Sequence, residues 1–400
     1  MQVSKAYIVA GLRTAGGRRG GRLSGWHPVD LGAAVLNGLI SKARMDPALI
    51  DDVLFGCVGQ AGEQSFNVAR NCVLASNLPE SVPATSIDRQ CGSSQQAVHF
   101  AAQAVMSGTM DIVIAGGVES MSRVPMGLPL TLPQKHGFGT YITPNIIERY
   151  ETENFSQFVG ADMIAKKYNL SREAMDEFAV LSHQKATRAI EKNLFDEEIL
   201  PLPARIFNPK TGVLSEPGEM HCTDEGVRCD ASVEKLSTLN PILEGGILTA
   251  GGASQMCDGA SGVIIANERG LNMLGVQPIA CIHHISVMGH DPVIMLEAPL
   301  PATDRALKRA NLTIDDIDLF EINEAFASVP MAWLQHTRAD PSKLNVNGGA
   351  IALGHPLGGT GTKLMTTLMN GLRQRKKRYG LQSMCEGGGM ANVTIIENMQ

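Results

Sequence analysis

Short apolar runs rich in β-branched residues alternate with stretches of helical period through the first 118 residues. Ala6–Val9, Val53–Cys57, Ala84–Asp88 and Asp111–Ala115 read as strands, and 30–44, 66–76 and 93–107 as helices. This rhythm predicts βαβ units, hence an α/β fold with a mostly parallel sheet. It returns after about residue 257, with strands at Gly262–Ala266, Ile279–Val287, Asp318–Ile322, Leu344–Asn347 and Ser383–Ile396. Helices are expected near 303–311, 325–336 and 356–376.

The two rhythmic stretches look like copies of one unit. Ile50-Asp51-Asp52-Val53-Leu54-Phe55 resembles Ile314-Asp315-Asp316-Ile317-Asp318-Leu319-Phe320, with one residue inserted. Cys91 follows Ile50 by 41 positions, and His355 follows Ile314 by the same 41. Both fall at a strand-to-helix turn, so a duplicated fold places them near a pseudo-twofold axis. Between the halves, roughly 120–250, the rhythm breaks into loops bearing Pro125, Pro129, Pro133 and Pro144. Two helices stand out there, near 158–168 and 172–193, the latter opening at Ser171 with Glu173 behind it. This region reads as an insertion, a lid or ligand platform over the duplicated core.

Composition narrows the class. With 400 residues, 44% hydrophobic and 18% charged, the chain has the apolar material for a large core, which excludes a disordered or fibrous protein. Its 42 glycines exceed the usual share of about 7% without any G-X-Y period, so they serve turns and close backbone approaches. Lys+Arg 34 against Asp+Glu 40 leaves a net charge of −6, which argues against nucleic-acid binding through a basic surface. The basic run Arg373, Arg375, Lys376, Lys377 and Arg378 reads as the cationic end of a long helix. No run of 18 uncharged apolar residues suits a bilayer, and Met1–Ala10 resembles neither a signal nor a transit peptide. The ending Asn398-Met399-Gln400 is not a peroxisomal signal. Eight cysteines without a C-x-x-C pair read as reduced thiols, so a cytoplasmic protein without a membrane span is expected. His283, His284 and His290 lack a metal-ligand pattern, and no metal is expected.

Four segments carry chemistry. Asp88-Arg89-Gln90-Cys91-Gly92-Ser93 puts a thiol at the start of a helix, whose dipole is expected to lower the thiol pKa and whose N–H groups can hold an oxyanion. Taken alone, Cys91 would read as a buried structural cysteine in a glycine turn. Asn345-Val346-Asn347-Gly348-Gly349-Ala350-Ile351-Ala352-Leu353-Gly354-His355-Pro356 puts a histidine, able to take a thiol proton near neutral pH, at another glycine-rich elbow. Gly358-Gly359-Thr360-Gly361-Thr362-Lys363 lacks the G-K-[ST] order of a phosphate loop. Cys385-Glu386-Gly387-Gly388-Gly389 offers a further thiol beside a backbone that can approach a reacting carbonyl. In Glu321-Ile322-Asn323-Glu324-Ala325-Phe326-Ala327, Asn323 ends a strand and can donate a hydrogen bond.

Together with Arg13-Thr14 and Ala115-Gly116-Gly117-Val118-Glu119-Ser120-Met121-Ser122, these segments resemble the thiolase family, the acetyl-CoA acetyltransferases and 3-ketoacyl-CoA thiolases, nearly end to end. The resemblance implies two similar α/β halves in a duplicated five-layered αβαβα core with an inserted loop domain. It divides the chain into 1–120 completed by about 251–275, an inserted CoA-binding region 121–250, and 276–400. It implies that Cys91 carries the acyl group, that His355 activates it, and that Cys385 is the acid/base at the α-carbon of the acetyl unit. Asn323, through a water, and His355 would form one oxyanion site, and the N–H groups of Cys91 and Gly387 the other. Arg228, in Val227-Arg228-Cys229-Asp230, would lie against the adenine of CoA. Ser254 would contact the pantetheine, although Gly252 and Cys257 stand where asparagine is common. Lys235 reads as a solvated helix lysine.

On this resemblance the chain is expected to be an acyltransferase in fatty acid metabolism and β-oxidation. It would cleave 3-ketoacyl-CoA with CoA to acetyl-CoA and a shortened acyl-CoA, or run the reverse condensation, through an acyl-Cys91 intermediate. CoA enters as substrate, no cofactor is bound permanently, and a homodimer or homotetramer is implied. Phe155-Ser156-Gln157-Phe158 lacks the His-Met pair of short-chain biosynthetic members, which favours a degradative enzyme of broader acyl range. The alternatives are a short-chain acetyl-CoA C-acetyltransferase making acetoacetyl-CoA, a ketoacyl synthase relative, disfavoured by the N-E-A-F segment and Cys385, and a catalytically silent acyl-CoA-binding protein.

Overall fold

A computed structural model describes residues 4–400; of the segment Met1–Ala10, Met1–Val3 lie outside the described residues. The first half runs β1 (Tyr7–Thr14), α1 (Pro28–Ala43), β2 (Asp52–Gly56), α2 (Val68–Ala75), β3 (Ala84–Ile87), α3 (Ser93–Ser107) and β4 (Ile112–Ser120), and after the insertion β5 (Cys257–Ala266). The other half runs β6 (Ala280–Gly289), α4 (Pro299–Ala310), β7 (Leu319–Ile322), α5 (Ser328–Thr337), α6 (Thr360–Arg375), β8 (Tyr379–Glu386) and β9 (Met390–Asn398). The strand order is β7-β8-β9-β6-β1-β5-β4-β2-β3, and the halves join where Tyr7 pairs with Cys281 and Ile8 with Ala280.

The orders β1-β5-β4-β2-β3 and β6-β9-β8-β7 repeat one topology. The counterpart of β3 in the second half is a single parallel bridge between Phe320 and Leu344, so the strand expected at Leu344–Asn347 shrinks to that contact. Asn345 explains the shortening. Its side chain accepts from Ile322 N and donates to Ile322 O, both at 2.9 Å, replacing backbone pairing along that edge.

The sheet is mixed, not mostly parallel. Among the main ladders, pairing is parallel for β2 against β3 and β4 and for β7 against β8, and antiparallel for the rest. The reason lies in the connections. The long insertion returns β5 against β4 without a helical crossover, and the glycines after Cys385 close a direct hairpin between β8 and β9, within the segment expected as one strand. Helices also occupy Leu128–Lys135 and Pro144–Tyr150, where the prolines suggested loops; Pro129 and Pro144 sit in their first turns, where the missing N–H costs nothing.

Apolar clusters define the layers. Leu31, Val35 and Leu39 of α1 and Val68, Cys72 and Val73 of α2 cover one face of the first half-sheet. Ala97, Ala101 and Val105 of α3 pack with Met365, Leu368 and Leu372 of α6 between the two half-sheets, against Val113, Val263, Leu319 and Ile396. Ala302, Ala306, Val329 and Trp333 of α4 and α5 cover the outer face of the other half-sheet, with Ile164 and Met175 from the insertion. The sequence of layers is helix, sheet, helix, sheet, helix.

The central layer is tight because α3 and α6 meet through their first turns. A Cβ on Gly361 would lie 2.1 Å from the backbone nitrogen of Gln95, and Thr362 N donates to Ser94 Oγ at 3.0 Å. In an exposed helix, Gly→Ala stabilises by about 1 kcal/mol. Here the sign reverses: Gly361→Ala must push the helices apart, and a loss of about 1–3 kcal/mol is expected in urea denaturation. A variant as stable as the parent would mean that the first turns do not touch.

Candidate active site

His355 stands one 3₁₀ turn, Leu357–Gly359, ahead of α6; the helix begins at Thr360 instead of near 356. The short helix Ala350–Leu353 delivers the ring, and His355 N donates to Gln255 O at 3.0 Å. Upstream, the Glu324 carboxyl of the N-E-A-F segment accepts from Ser182 Oγ at 2.7 Å, Asn345 Nδ2 at 2.8 Å and Ile351 N at 3.1 Å, locking the glycine loop to the strand end. Lys363, buried in α6, donates to the carbonyls of Leu353 and Gly354.

Hydrogen bonding assigns the tautomer. Thr360 Oγ1 donates its proton to Pro356 O at 2.8 Å, so at 2.6 Å it accepts from His355 Nδ1. Nε2 is left with its lone pair facing Asn323 Nδ2 at 3.5 Å. Asn323 follows β7, is buried, and donates its N–H to Ser383 O at 3.0 Å, two residues before Cys385. Its Oδ1 has no hydrogen-bond partner.

Cys91 occupies the turn between β3 and α3 and is half-buried. Gln90 before it adopts φ +49°, and Ser93 Oγ pins the turn by donating to Gln90 O at 2.6 Å and accepting from Arg89 N at 2.9 Å. Cys385 is buried near the end of β8, opposite Ala391 of β9, and Gly387 in the following turn abuts the Gln90 side chain. The structure therefore brings the segments of Cys91, Cys385 and Gly387 together, and those of His355 and Asn323.

The electrostatics correct one expectation. The helix N-terminus was expected to lower the Cys91 pKa; instead burial, followed by the Glu386 carboxyl, pushes the thiol up to about 12, outweighing the backbone N–H that lowers it. Burial first, then Cys91 and Glu386, hold the Cys385 thiol well above its ordinary range. Burial, followed by the Lys363 cation, brings His355 down to about 3. At neutral pH the free site holds neutral thiols and a neutral imidazole, not a thiolate–imidazolium pair.

The two residues expected at CoA lie on the rim. Ser254 is half-buried and hydrogen-bonds through its N–H to Ala325 O at 2.9 Å, beside Asn323. Arg228 is exposed, its N–H held at 3.1 Å by Nδ1 of His183, a ring that burial keeps neutral. Gln255, for which the sequence carried no signal, ties the two regions, donating to Gly226 O at 2.8 Å and Ile351 O at 2.7 Å. Lys235 pairs with Asp230 on the surface. Sequence reasoning also missed Thr360 and Glu324. A hydroxyl five residues after a turn histidine was the signal for Thr360, whereas Glu324 has the pattern of an ordinary helix-start acid. Among the described residues no group of three or more His, Cys, Asp or Glu is placed to hold a metal.

Comparison with known proteins identifies the family and the fold. The family model described as "Thiolase, N-terminal domain" matches residues 6–269, and "Thiolase, C-terminal domain" matches 276–398. The chain is 50% identical over 399 residues to the steroid 3-ketoacyl-CoA thiolase FadA6 of Mycobacterium tuberculosis, covering 99% of this chain and 95% of that protein. It is 39% identical over 402 residues to a 3-ketoacyl-CoA thiolase of Bacillus subtilis, covering 99% and 100%. A solved structure, the acetyl-CoA acetyltransferase of Bacillus anthracis, superposes with a TM-score of 0.88 at 33% identity over 99% of both chains.

The neutral ring generates a prediction. In protein labelled at histidine, the His355 ring resonances, assigned by loss in His355→Gln, should not titrate between pH 5 and 8. The unfolded ring binds a proton near its ordinary 6.5, which the folded one refuses until about 3, so this contribution to stability is complete above 6.5 and is lost as the pH falls toward 3. Titration near 6.5 would show the ring open to solvent.

Proposed function

The chain belongs to the thiolase family and is an acyl-CoA C-acyltransferase that cleaves 3-ketoacyl-CoA thiolytically, and from that premise we propose how its residues divide the work. Cys91 is the nucleophile. His355 Nε2 takes the thiol proton as sulfur attacks the 3-keto carbon, and the oxyanion is met by the N–H groups of Cys91 and Gly387, each worth roughly 3–4 kcal/mol. Collapse breaks the bond to the α-carbon, acetyl-CoA leaves as its enolate, and the Cys385 thiol supplies the proton that completes it. The Cys385 thiolate then takes the proton of incoming CoA, whose sulfur displaces the acyl group, and His355 returns its proton to Cys91. Asn323 and Gly387 serve as oxyanion-site donors, and Arg228 and Ser254 hold the nucleotide and pantetheine ends of CoA, which acts as substrate. The observation that carries this reading is the His355 tautomer: Nδ1 engaged by Thr360 and the Nε2 lone pair free toward Asn323.

We divide the chain into a first half, 1–120 with about 251–275, an inserted region 121–250, and a second half, 276–400; the pairing of β5 with β1 and β4 supports this. An acyl range beyond acetoacetyl is supported by the name of the steroid thiolase relative. It is supported too by Phe158, which meets Phe326 of the N-E-A-F segment edge-on at 5.7 Å, where a His-Met pair would mark short-chain members. The 33% likeness to an acetyl-CoA acetyltransferase favours the short-chain reading less strongly. No described helix is long and apolar enough to cross a membrane.

Self-association is read from the sheet edge. The edge strand β3 has a free side, and Phe66 beside it is 92% exposed, on a turn that Asn67 ties to Ala84 O and Ser86 Oγ at 3.0 Å. A homodimer is expected in light scattering, and Phe66→Asp should weaken it; a parent protein that scatters as a monomer would overturn this.

The decisive assay is CoA-dependent loss of 3-ketoacyl-CoA absorbance across acyl lengths. The parent should cleave several lengths, while Cys91→Ala and Cys385→Ala fall roughly a thousandfold or more. Cleavage by Cys91→Ala would sink the assignment of the nucleophile, and cleavage of acetoacetyl-CoA alone would sink the broader range.

A further inference from the structure

Against the turn that carries Cys91 sits a side chain that the mechanism above does not use. Glu386 follows Cys385 at the end of β8 and is completely buried. Both of its carboxyl oxygens lack a hydrogen-bond partner, as does the nearby Arg89 Nε. The carboxyl lies against the turn that carries Cys91: a Cβ on Gly92 would stand 2.0 Å from Glu386 Oε1 and 2.7 Å from its Cδ. A side chain on Gly92 would require this carboxyl group to shift.

Around Glu386 the titratable and charged groups are few. Arg89 and Cys91 approach from the turn before α3, Cys385 from its own strand, and the backbone of Asn392 from β9. Asp88 and Glu119 act on Cys91 from farther off. With no donor in full hydrogen-bond geometry and only the Asn392 backbone N–H and Arg89 near enough to favour its charge, a carboxylate there is expensive, whereas a buried neutral acid is much less so.

We propose that Glu386 is a positioning residue of this site, a buried carboxylic acid that by keeping its proton leaves the Cys91 and Cys385 thiols free to ionise during turnover, and that shuts both down when it loses that proton. It acts through the sulfurs and touches no reacting carbon. Burial holds its own ionisation well above the ordinary carboxylate range despite Arg89, and its charge is the foremost named electrostatic influence raising Cys91. The acid sets the alkaline limit of the enzyme. This inference rests on the assignment of Cys91 as nucleophile, and its test is separable from that assignment.

The test is the pH profile of Cys91 alkylation by iodoacetamide in the parent and in Glu386→Gln, read on the Cys91 peptide by mass spectrometry. The glutamine keeps the shape and cannot ionise. Its profile should move at least one pH unit toward acid, giving about tenfold faster alkylation at a pH where the parent carboxyl is ionised. Glu386→Asp should restore the parental direction. Superimposable profiles in parent and Glu386→Gln overturn the proposal, while thiolysis lost in Cys91→Ala would still uphold the nucleophile. Should Glu386→Gln fail to fold, difference infrared spectra decide, with the Glu386 band assigned by its shift in Glu386→Asp because Glu119, Glu321 and Glu324 are buried acids too: loss of that protonated carbonyl band at alkaline pH supports the proposal, and its absence throughout the neutral range refutes it.

Discussion

The active site exists because two helices start at the same place. The first turns of α3 and α6 are in backbone contact, Gly361 against Gln95 and Thr362 N on Ser94 Oγ, inside a layer closed on both faces by sheet. Each helix start carries unpaired N–H groups and about half a positive charge. Pairing two of them would be unfavourable in an idle core, and it is useful where negative charge develops on an oxygen. The glycines around these turns admit the approach, and the half-sheets fix its angle. Cys91 and His355 stand just ahead of these two starts, so their relation is set by helix packing and not by any bond between them.

The burial that makes this arrangement rigid also dictates its ground state. Cys91, Cys385 and His355 are each driven toward their neutral forms by desolvation. A preformed ion pair would require two buried charges to be desolvated before any substrate arrived. In the proposed mechanism the neutral arrangement defers charge separation to the moment of attack, when the oxyanion can be stabilised by groups already in place. Thr360 completes the device by holding the imidazole in the tautomer that can accept a proton at Nε2.

The insertion is bound into the same framework. Ser182 of the helix Arg172–Glu191 donates to Glu324, and Gln255 spans from Gly226 to Ile351, so the segments bearing Arg228 and Ser254 are anchored to those bearing Asn323 and His355. The buried ionic group of Arg13 with Glu198 and Asp224 adds a further tie, linking β1 to two points within the inserted region. On the proposed assignment, the contacts that position the candidate reacting groups also fix the segments proposed to hold CoA.

The repeated Ile-Asp-Asp run and the equal spacing to Cys91 and His355 were legible in the chain because a duplicated topology repeats its spacing wherever an elbow must recur. The two cysteines, the histidine and Asn323 stood out as candidates because glycine-rich elbows and reactive side chains are local features, but their roles came only from the family resemblance of the four segments taken together. Strand direction was not legible: β5 and β9 are antiparallel because of how an insertion and a glycine hairpin return the chain, and hydrophobic rhythm carries no direction. Nor could the sequence reveal that Cys91 would be held up toward 12 and not lowered, since that depends on burial by the whole middle layer and on Glu386 from the far end of the chain. Residue chemistry and spacing are written locally, whereas desolvation and hydrogen-bond partnership are sums over neighbours that only folding brings together.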